Sequence, residues 1–163
     1  MSINSVLKPV CAWLETLSLH DKMQNDQWMV PTVQTIHILA ISVVFASSLV
    51  LSLRVLNVAG GEWSPAQWRQ RLNGWIWIAL LVLLASGVMM IFGEPARSLL
   101  NFLFQLKMGL LLVAVVALLL LMGRLRHHLD GVVHTTGTDR LLAVILVALW
   151  LAIIVCGRWI AYS

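Results

Sequence analysis

Four long apolar segments separated by short polar links make up most of the sequence. They cover roughly residues 30–55, 74–92, 99–122 and 141–162, each close to the ~20 residues needed to cross a ~30 Å hydrocarbon layer. Lipid offers no partner for backbone N–H and C=O groups, so each segment is predicted to be a transmembrane helix. Short links make consecutive helices antiparallel. The pattern therefore predicts an all-α integral membrane protein, a four-helix up-down-up-down bundle that forms a single domain over residues 1–163.

The segment before the first span, residues 1–27, has apolar residues at helical spacing. Lys8, Glu15 and Thr16 lie on the opposite side of this helix, which is the pattern of a short amphipathic helix lying in the membrane interface. The apolar positions are Val6, Leu7, Val10, Trp13, Leu14 and Leu17. Lys8 and Pro9 interrupt the only apolar run, so this segment is not predicted to be a cleaved signal peptide.

Composition supports the membrane assignment and adds an orientation. The chain is 60% hydrophobic and only 11% charged, with a mean hydropathy of +0.90, far from the usual make-up of a soluble domain. The net charge of +4 is therefore attributed to the orientation of the chain in the membrane, and no nucleic-acid partner is expected. The first and third links hold most of the arginines: Arg54, Arg69, Arg71, Arg124, Arg126 and Arg140. The positive-inside rule places these links in the cytoplasm and both termini in the periplasm.

Four ionisable residues from the four spans are predicted to reach one depth, in the third of the bilayer nearest the termini. His37 is about seven residues into the first span, or ~10 Å at 1.5 Å per residue. Lys107 lies about eight residues into the third span, Arg158 just before the end of the fourth, and Glu94 at the end of the second. Ionisable groups within a membrane are costly and usually functional. They can also serve only to hold helices together.

The apolar stripes place these residues around one predicted cavity. On the first helix the expected inward face carries Gln34 and His37, and continues through Ile41, Val44 and Ser48. With Met90, Lys107 and Arg158 they form the candidate lining, and Gly87 permits close approach of a neighbour or a flat ligand.

A b-type haem suits this set of side chains. The imidazole of His37 is the candidate metal ligand, while Arg158 and Lys107 can neutralise the propionates. The second axial ligand stays open between Met90, Lys107, His20 and a vacant position. A quinone hydrogen-bonded between His37 and Lys107 is an alternative.

Copper is the competing cofactor, because soft ligands suit Cu(I). Its candidate ligands near the same end are Met23, Met29, Met89, Met90, Met108, His20, His37 and Cys156. At the opposite end, His127, His128 and His134 of the third link form a second group, which is also what a basic loop beside anionic lipid contains.

Four stretches of the chain, "CAWLETLSL", "WMVPTVQTIHILAISVVF", "FQLKMGLLL" and "GRWIAY", carry a resemblance to known proteins. Together they resemble an uncharacterised family of four-helix bacterial inner-membrane proteins, known as a domain of unknown function, over essentially the whole chain. The resemblance implies a multi-pass inner-membrane location. Its characteristic positions fall on Trp28, Pro31, His37, Lys107, Gly157, Arg158, Trp159 and Tyr162. This adds Trp28 and Tyr162 to the candidate cofactor-binding residues.

A helix-one histidine with a helix-three lysine is also similar to two characterised groups of membrane proteins. One is the HemJ-type protoporphyrinogen oxidases, a likeness that implies haem b on His37 with Lys107 beside it. The other is the CopD copper-resistance proteins, a likeness that implies copper handling.

Three classes of function follow from these observations. The leading expectation is an inner-membrane redox protein that holds haem b and exchanges electrons with a quinone or a partner oxidoreductase. The alternatives are a copper transport or delivery protein, and a non-catalytic anchor that assembles with a partner or with further copies of itself. Whether the chain is an enzyme stays open.

Overall fold

The computed structural model describes residues 3–126 and 135–160. Within these ranges the chain forms helices joined by turns and short loops, with no β-strand. In chain order they are α1 (Ile3–Glu15), α2 (Ser18–Asn25), α3 (Met29–Val55), α4 (Pro65–Gly93), α5 (Pro95–Leu99), α6 (Phe102–Arg126) and α7 (Gly137–Ile160). The predicted all-α fold is confirmed.

Helices α3, α4, α6 and α7 are each long and apolar enough to cross a membrane. Their most apolar windows have a mean hydropathy of 2.3 in α3 and 2.5 in the other three, and large apolar side chains are exposed all around the bundle. A helix that is apolar on every side is stable only when lipid covers what the protein does not. The chain is therefore a multi-pass membrane protein.

The four long helices form a ring in which neighbours are unequally packed. Helix α3 lies along α4 on one side and along α7 on the other, α7 lies along α6, and α6 touches α4 more lightly. The two ends of the bundle are named here the His37 end, where α3 begins, and the arginine end, where α3 finishes. All six arginines of the first and third links lie at or beyond the arginine end.

The tightly packed core is concentrated towards the arginine end. On α6 the buried apolar residues run from Ala114 to Leu125, and on α7 from Ala143 to Ile153. In the part of these two helices nearer the His37 end, residues 102–113 and 154–156 include none that is fully buried. The bundle is thus close-packed at one end and more loosely covered at the other.

The helices extend beyond the apolar segments from which they were predicted. Helix α4 begins at Pro65, nine residues before the predicted span. The cause is a capping box: the Ser64 hydroxyl accepts from the Gln67 N–H at 3.2 Å, and the Gln67 side chain accepts from the Ser64 N–H at 2.8 Å. Hydropathy marks what lies in lipid, whereas caps mark where a helix starts.

The segment before the first span folds into two helices, and the second closes one end of α4. The last carbonyls of a helix have no partner within it. Here the Gln24 side-chain amide donates to the carbonyl of Gly93, and His20 Nδ1 pairs with the carbonyl of Phe92, both at 2.8 Å. Met23 is buried against Gly93. Helix α2 is therefore a side-chain cap for α4.

Helix α1 packs against α5 and buries Cys11 and Leu14. Val10 and Trp13 are exposed on the same helix. Its apolar face is thus shared between the protein and its surroundings, which fits the amphipathic character predicted for it.

A buried carboxylate joins α6 to α7 at the arginine end. Asp139 is fully buried and accepts from Arg124 Nε at 2.6 Å, from the Thr136 hydroxyl at 2.6 Å and from the Thr136 N–H at 2.9 Å. The Asp139 N–H in turn points to the Thr136 hydroxyl, which makes Thr136 the cap of α7. The Asp139 side chain thereby stabilises the first turn of α7 and links it to the end of α6.

We expect Asp139→Ala to lower the free energy of unfolding by about 2 kcal/mol, since it removes a cap and leaves several donors unpaired. Thermal denaturation in detergent measures this as a lower midpoint. Arg140→Ala, at the exposed neighbouring position, is the control and should stay within about 0.5 kcal/mol of the wild type. Equal stability of the two variants would contradict the role given to Asp139.

Candidate functional site

The His37 imidazole is half-buried and is held by a hydrogen bond to the next helix. Its Nδ1 lies 2.9 Å from the Oγ of Ser86, a buried residue of α4. The Ser86 hydroxyl also lies 2.7 Å from the Val82 carbonyl, which can only accept. A hydroxyl has one hydrogen, and this shorter bond uses it, so Ser86 Oγ accepts from His37. The arrangement assigns the proton of neutral His37 to Nδ1 and leaves a lone pair on Nε2.

Gly87 gives the imidazole room against the backbone of α4. A Cβ atom built at this position would lie 3.4 Å from His37 Cε1, and nothing but the imidazole would be near it. The close approach predicted at Gly87 is therefore made by the His37 ring. Ser86 and Gly87 together form the surface on which the ring rests.

Lys107 on α6 is half-buried and lies within electrostatic range of both His37 and Cys156. The register of α6 against α7 explains why Cys156 is a neighbour of Lys107. Arg124 and Asp139 are in contact, and seventeen residues from that contact along each antiparallel helix lead to Lys107 and Cys156. Lys107 and Cys156 therefore both lie ~26 Å along the helix axes from the Arg124–Asp139 contact. No pattern in the sequence placed Cys156 beside Lys107.

The register of α3 against α7 places a further predicted residue at the same depth. The rings of Phe45 and Trp150 meet at 5.6 Å between centroids. Eight residues from this contact towards the His37 end lead to His37 on α3 and to the backbone of Arg158 on α7. The side chain of Arg158 lies outside the described part of the structure.

The other predicted site residues are more scattered. Met90 is half-buried on α4, one helical turn beyond Ser86. Trp28 is 76% exposed at the start of α3. The expectation that Gln34 shares the inward face of α3 is wrong: its side chain is exposed, and the buried face runs through Val33.

Two groups of predicted residues lie outside the described residues. They are Tyr162, and His127, His128 and His134 of the link between α6 and α7. Glu94 ends α4 at the His37 end, as predicted, and its side chain is exposed.

The residues that the structure brings together are named here the His37 layer: His37, Ser86, Gly87, Lys107 and Cys156. It offers an imidazole nitrogen, an ammonium group and a free thiol. Within residues 3–126 and 135–160, no group of three His, Cys, Asp or Glu side chains is placed to hold a metal ion. A metal bound in this layer would thus take His37 and other kinds of ligand, such as a macrocycle or methionine sulfur.

Ser86 is the member of this layer to which the sequence assigned no role, and Cys156 was a candidate only as a copper ligand. The signal for Ser86 was available, since a Ser-Gly pair in an apolar helix marks a close helix contact and a polar partner at that depth. The position of Cys156 beside Lys107 depends on the register of α6 against α7, which the Arg124–Asp139 contact reveals in the structure.

The fold and the His37 layer define a four-helix membrane protein with a polar, half-buried layer near one membrane surface. The model of DUF6644, a family of unknown function, matches residues 13–163, and the chain belongs to this family. The predicted membership of a domain-of-unknown-function family is confirmed. No curated protein and no solved structure matches the chain. The likeness to HemJ-type oxidases and CopD proteins stays a prediction.

We expect nitrogen NMR of histidine-labelled protein in detergent micelles to show neutral His37 protonated on Nδ1, with the signal assigned by its loss in His37→Ala. In Ser86→Ala the acceptor is gone, and the population should move towards protonation on Nε2. Ser42→Ala is the control, because this exposed hydroxyl bonds only the backbone of its own helix. A wild-type ring already protonated on Nε2 would contradict the assignment.

Proposed function

We propose that this protein is a small redox protein of the bacterial inner membrane that binds haem b in the His37 layer. It would exchange electrons with a quinone or with a partner oxidoreductase. The observation that carries the proposal is the orientation of His37, whose Nδ1 is bonded to Ser86 while Nε2 keeps its lone pair. A metal-ligating histidine typically donates its other ring N–H to a fixed acceptor in this way.

Each residue of the layer has a distinct part in this proposal. His37 would supply a nitrogen ligand to the haem iron, and Ser86 would fix the plane and tautomer of its ring. Lys107 and Arg158 supply positive charge that balances the propionates. The haem, when bound, supplies one-electron transfer. The loose packing of α6 and α7 at this end leaves the layer reachable, since His37, Lys107 and Cys156 are all only half-buried.

Among the candidates for a further iron ligand, Met90 and Lys107 are the better placed. Met90 is one turn from Ser86, and Lys107 is an electrostatic neighbour of His37. His20 is less suitable because its Nδ1 is engaged with the Phe92 carbonyl in the cap of α4.

The orientation follows from the arginines at the opposite end of the bundle. The positive-inside rule assigns the arginine end to the cytoplasm, so the His37 layer and both termini face the periplasm in this proposal. Electron exchange would therefore take place near the periplasmic surface.

Copper transport or delivery is the second candidate function. It is favoured by the position of Cys156 beside Lys107, which puts a free thiol in the same layer as an imidazole. Thiolate, imidazole and thioether ligands suit Cu(I). Copper at one equivalent per chain without porphyrin would favour this candidate over haem.

We expect protein purified in detergent from haem-replete cells to show a Soret band and about one haem per chain. Removing the axial nitrogen in His37→Ala should abolish the band. Thr35→Ala is the matched control, because Thr35 lies on the exposed side of the same helix and bonds only the Pro31 carbonyl. Absorbance and metal content are measured on the same sample.

Colourless wild-type protein would overturn the haem proposal. A Soret band that persists in His37→Ala would overturn the assignment of the axial ligand while leaving haem binding in place. A correctly folded but haem-free His37→Ala protein is recognised by a helical circular dichroism spectrum equal to that of the wild type.

A further inference from the structure

A pocket lies at the end of the bundle opposite the His37 layer, where the link from α3 enters α4. It is lined by Trp63, Gln67, Gln70 and Arg71 and has a volume of about 490 Å³. Nothing in the proposed haem site involves these residues, which are separated from His37 by most of the length of α4. The pocket is therefore separate from the proposed haem site.

Arg71 is the charged group of this pocket and is held by an aromatic side chain. Its guanidinium carbon lies 3.3 Å from the centroid of the Trp63 ring, a cation–π contact. Trp63 in turn packs against Trp68, with 5.3 Å between ring centroids. Among the residues that the structure describes, none forms a hydrogen bond or ion pair with Arg71. The guanidinium is thus fixed in place while its N–H donors stay available.

The loop that carries Trp63 is fixed by its own hydrogen bonds. Arg54 donates to the carbonyl of Trp63 and to the side chain of Asn57, and Trp68 Nε1 donates to the carbonyl of Gly60 at 3.3 Å. Asn57 and Gly60 adopt left-handed conformations, with φ of 59° and 75°, which short polar residues and glycine tolerate. The pocket is therefore preformed.

The remaining lining groups add further donors. The Gln67 oxygen accepts from the Ser64 N–H, which leaves the amide NH₂ of Gln67 as the free end of that side chain. Gln70 is exposed beside it, one turn along α4. The pocket thus combines a guanidinium and two amide groups on one side of α4, a donor-rich set that suits an anion.

Positive charge predominates around the pocket. The arginines at the ends of all four long helices lie on this side of the bundle. Of the acidic residues described here, Asp139 is neutralised by Arg124 and Glu62 is exposed in the link. Trp63 and Trp68 are of the residue type that anchors proteins at lipid headgroups. A phosphate group is the anion that a membrane surface presents at this level.

We propose that the pocket of Trp63, Gln67, Gln70 and Arg71 binds a phosphate group, with Arg71 as its fork-shaped donor. Guanidinium matches phosphate by two parallel N–H···O bonds, and stacking on an indole fixes its plane in advance. The phosphate belongs either to an anionic phospholipid headgroup at the membrane surface or to a free phosphate in solution. The two sources differ in whether acyl chains are needed.

The test uses the full chain purified in a neutral maltoside detergent. In one arm, the protein is equilibrated with equal amounts of dioleoylphosphatidylglycerol and dioleoylphosphatidylcholine, and native mass spectrometry counts the retained lipids. In the other arm, inorganic phosphate is titrated into the lipid-free protein and the heat of binding is measured. We expect Arg71→Gln to lower affinity for the bound species roughly five- to tenfold.

Arg140→Gln is the matched control, because it removes one exposed positive charge from the same end of the bundle without touching the pocket. It should change affinity less than twofold. Trp63→Ala, which keeps the net charge but removes the surface under Arg71, should weaken binding as Arg71→Gln does. Circular dichroism establishes that both pocket variants keep the helical fold.

If the wild type retains more phosphatidylglycerol than phosphatidylcholine and Arg71→Gln loses this preference, the proposal is supported and the phosphate comes from a lipid. Saturable binding of inorganic phosphate that the same variant removes supports it and assigns a soluble source. Equal losses in Arg71→Gln and Arg140→Gln would overturn the proposal, because the attraction would then come from net charge alone. Absence of both binding signals would also overturn it.

Discussion

A polar group inside a lipid-spanning helix is costly unless it finds a partner within the protein, and this constraint explains three contacts on which the arrangement of the bundle depends. Water is absent at that depth, so an unpaired polar side chain costs several kcal/mol. His37 is paired with Ser86, Asp139 with Arg124 and Thr136, and the last carbonyls of α4 with side chains of α2. Each pairing also joins two helices, so the same contacts that satisfy polar groups fix the arrangement of the bundle.

The two ends of the bundle differ in packing and in the kinds of side chain that they carry. The arginine end combines the close-packed part of α6 and α7 with the Arg124–Asp139 clasp, and it sets the registers that bring distant residues to one depth. The His37 end is less completely packed and carries the candidate cofactor-binding side chains. Functional groups commonly lie in the less stable part of a fold, which a rigid part holds in place.

Much of the fold was predictable because apolar length in lipid leaves a chain few alternatives to helix. The depths of His37 and Lys107 followed from the same arithmetic. The position of Gln34 did not, because α3 is apolar on nearly every side and its residues give little information about which face turns inward. The cap formed by His20 and Gln24 was also missed: side chains that reach another helix leave no periodic pattern in the sequence.

The cap on α4 changes how the residues before α3 should be regarded. Helix α2 looks from its composition like a polar leader, yet its side chains complete the hydrogen bonding of a helix about seventy residues later in the chain. A shortened chain that starts at Trp28 would expose those carbonyls and leave Gly93 without the methionine that packs on it. The residues before the first membrane-spanning helix therefore contribute to the stability of the bundle, and an affinity tag is better joined ahead of them than substituted for them.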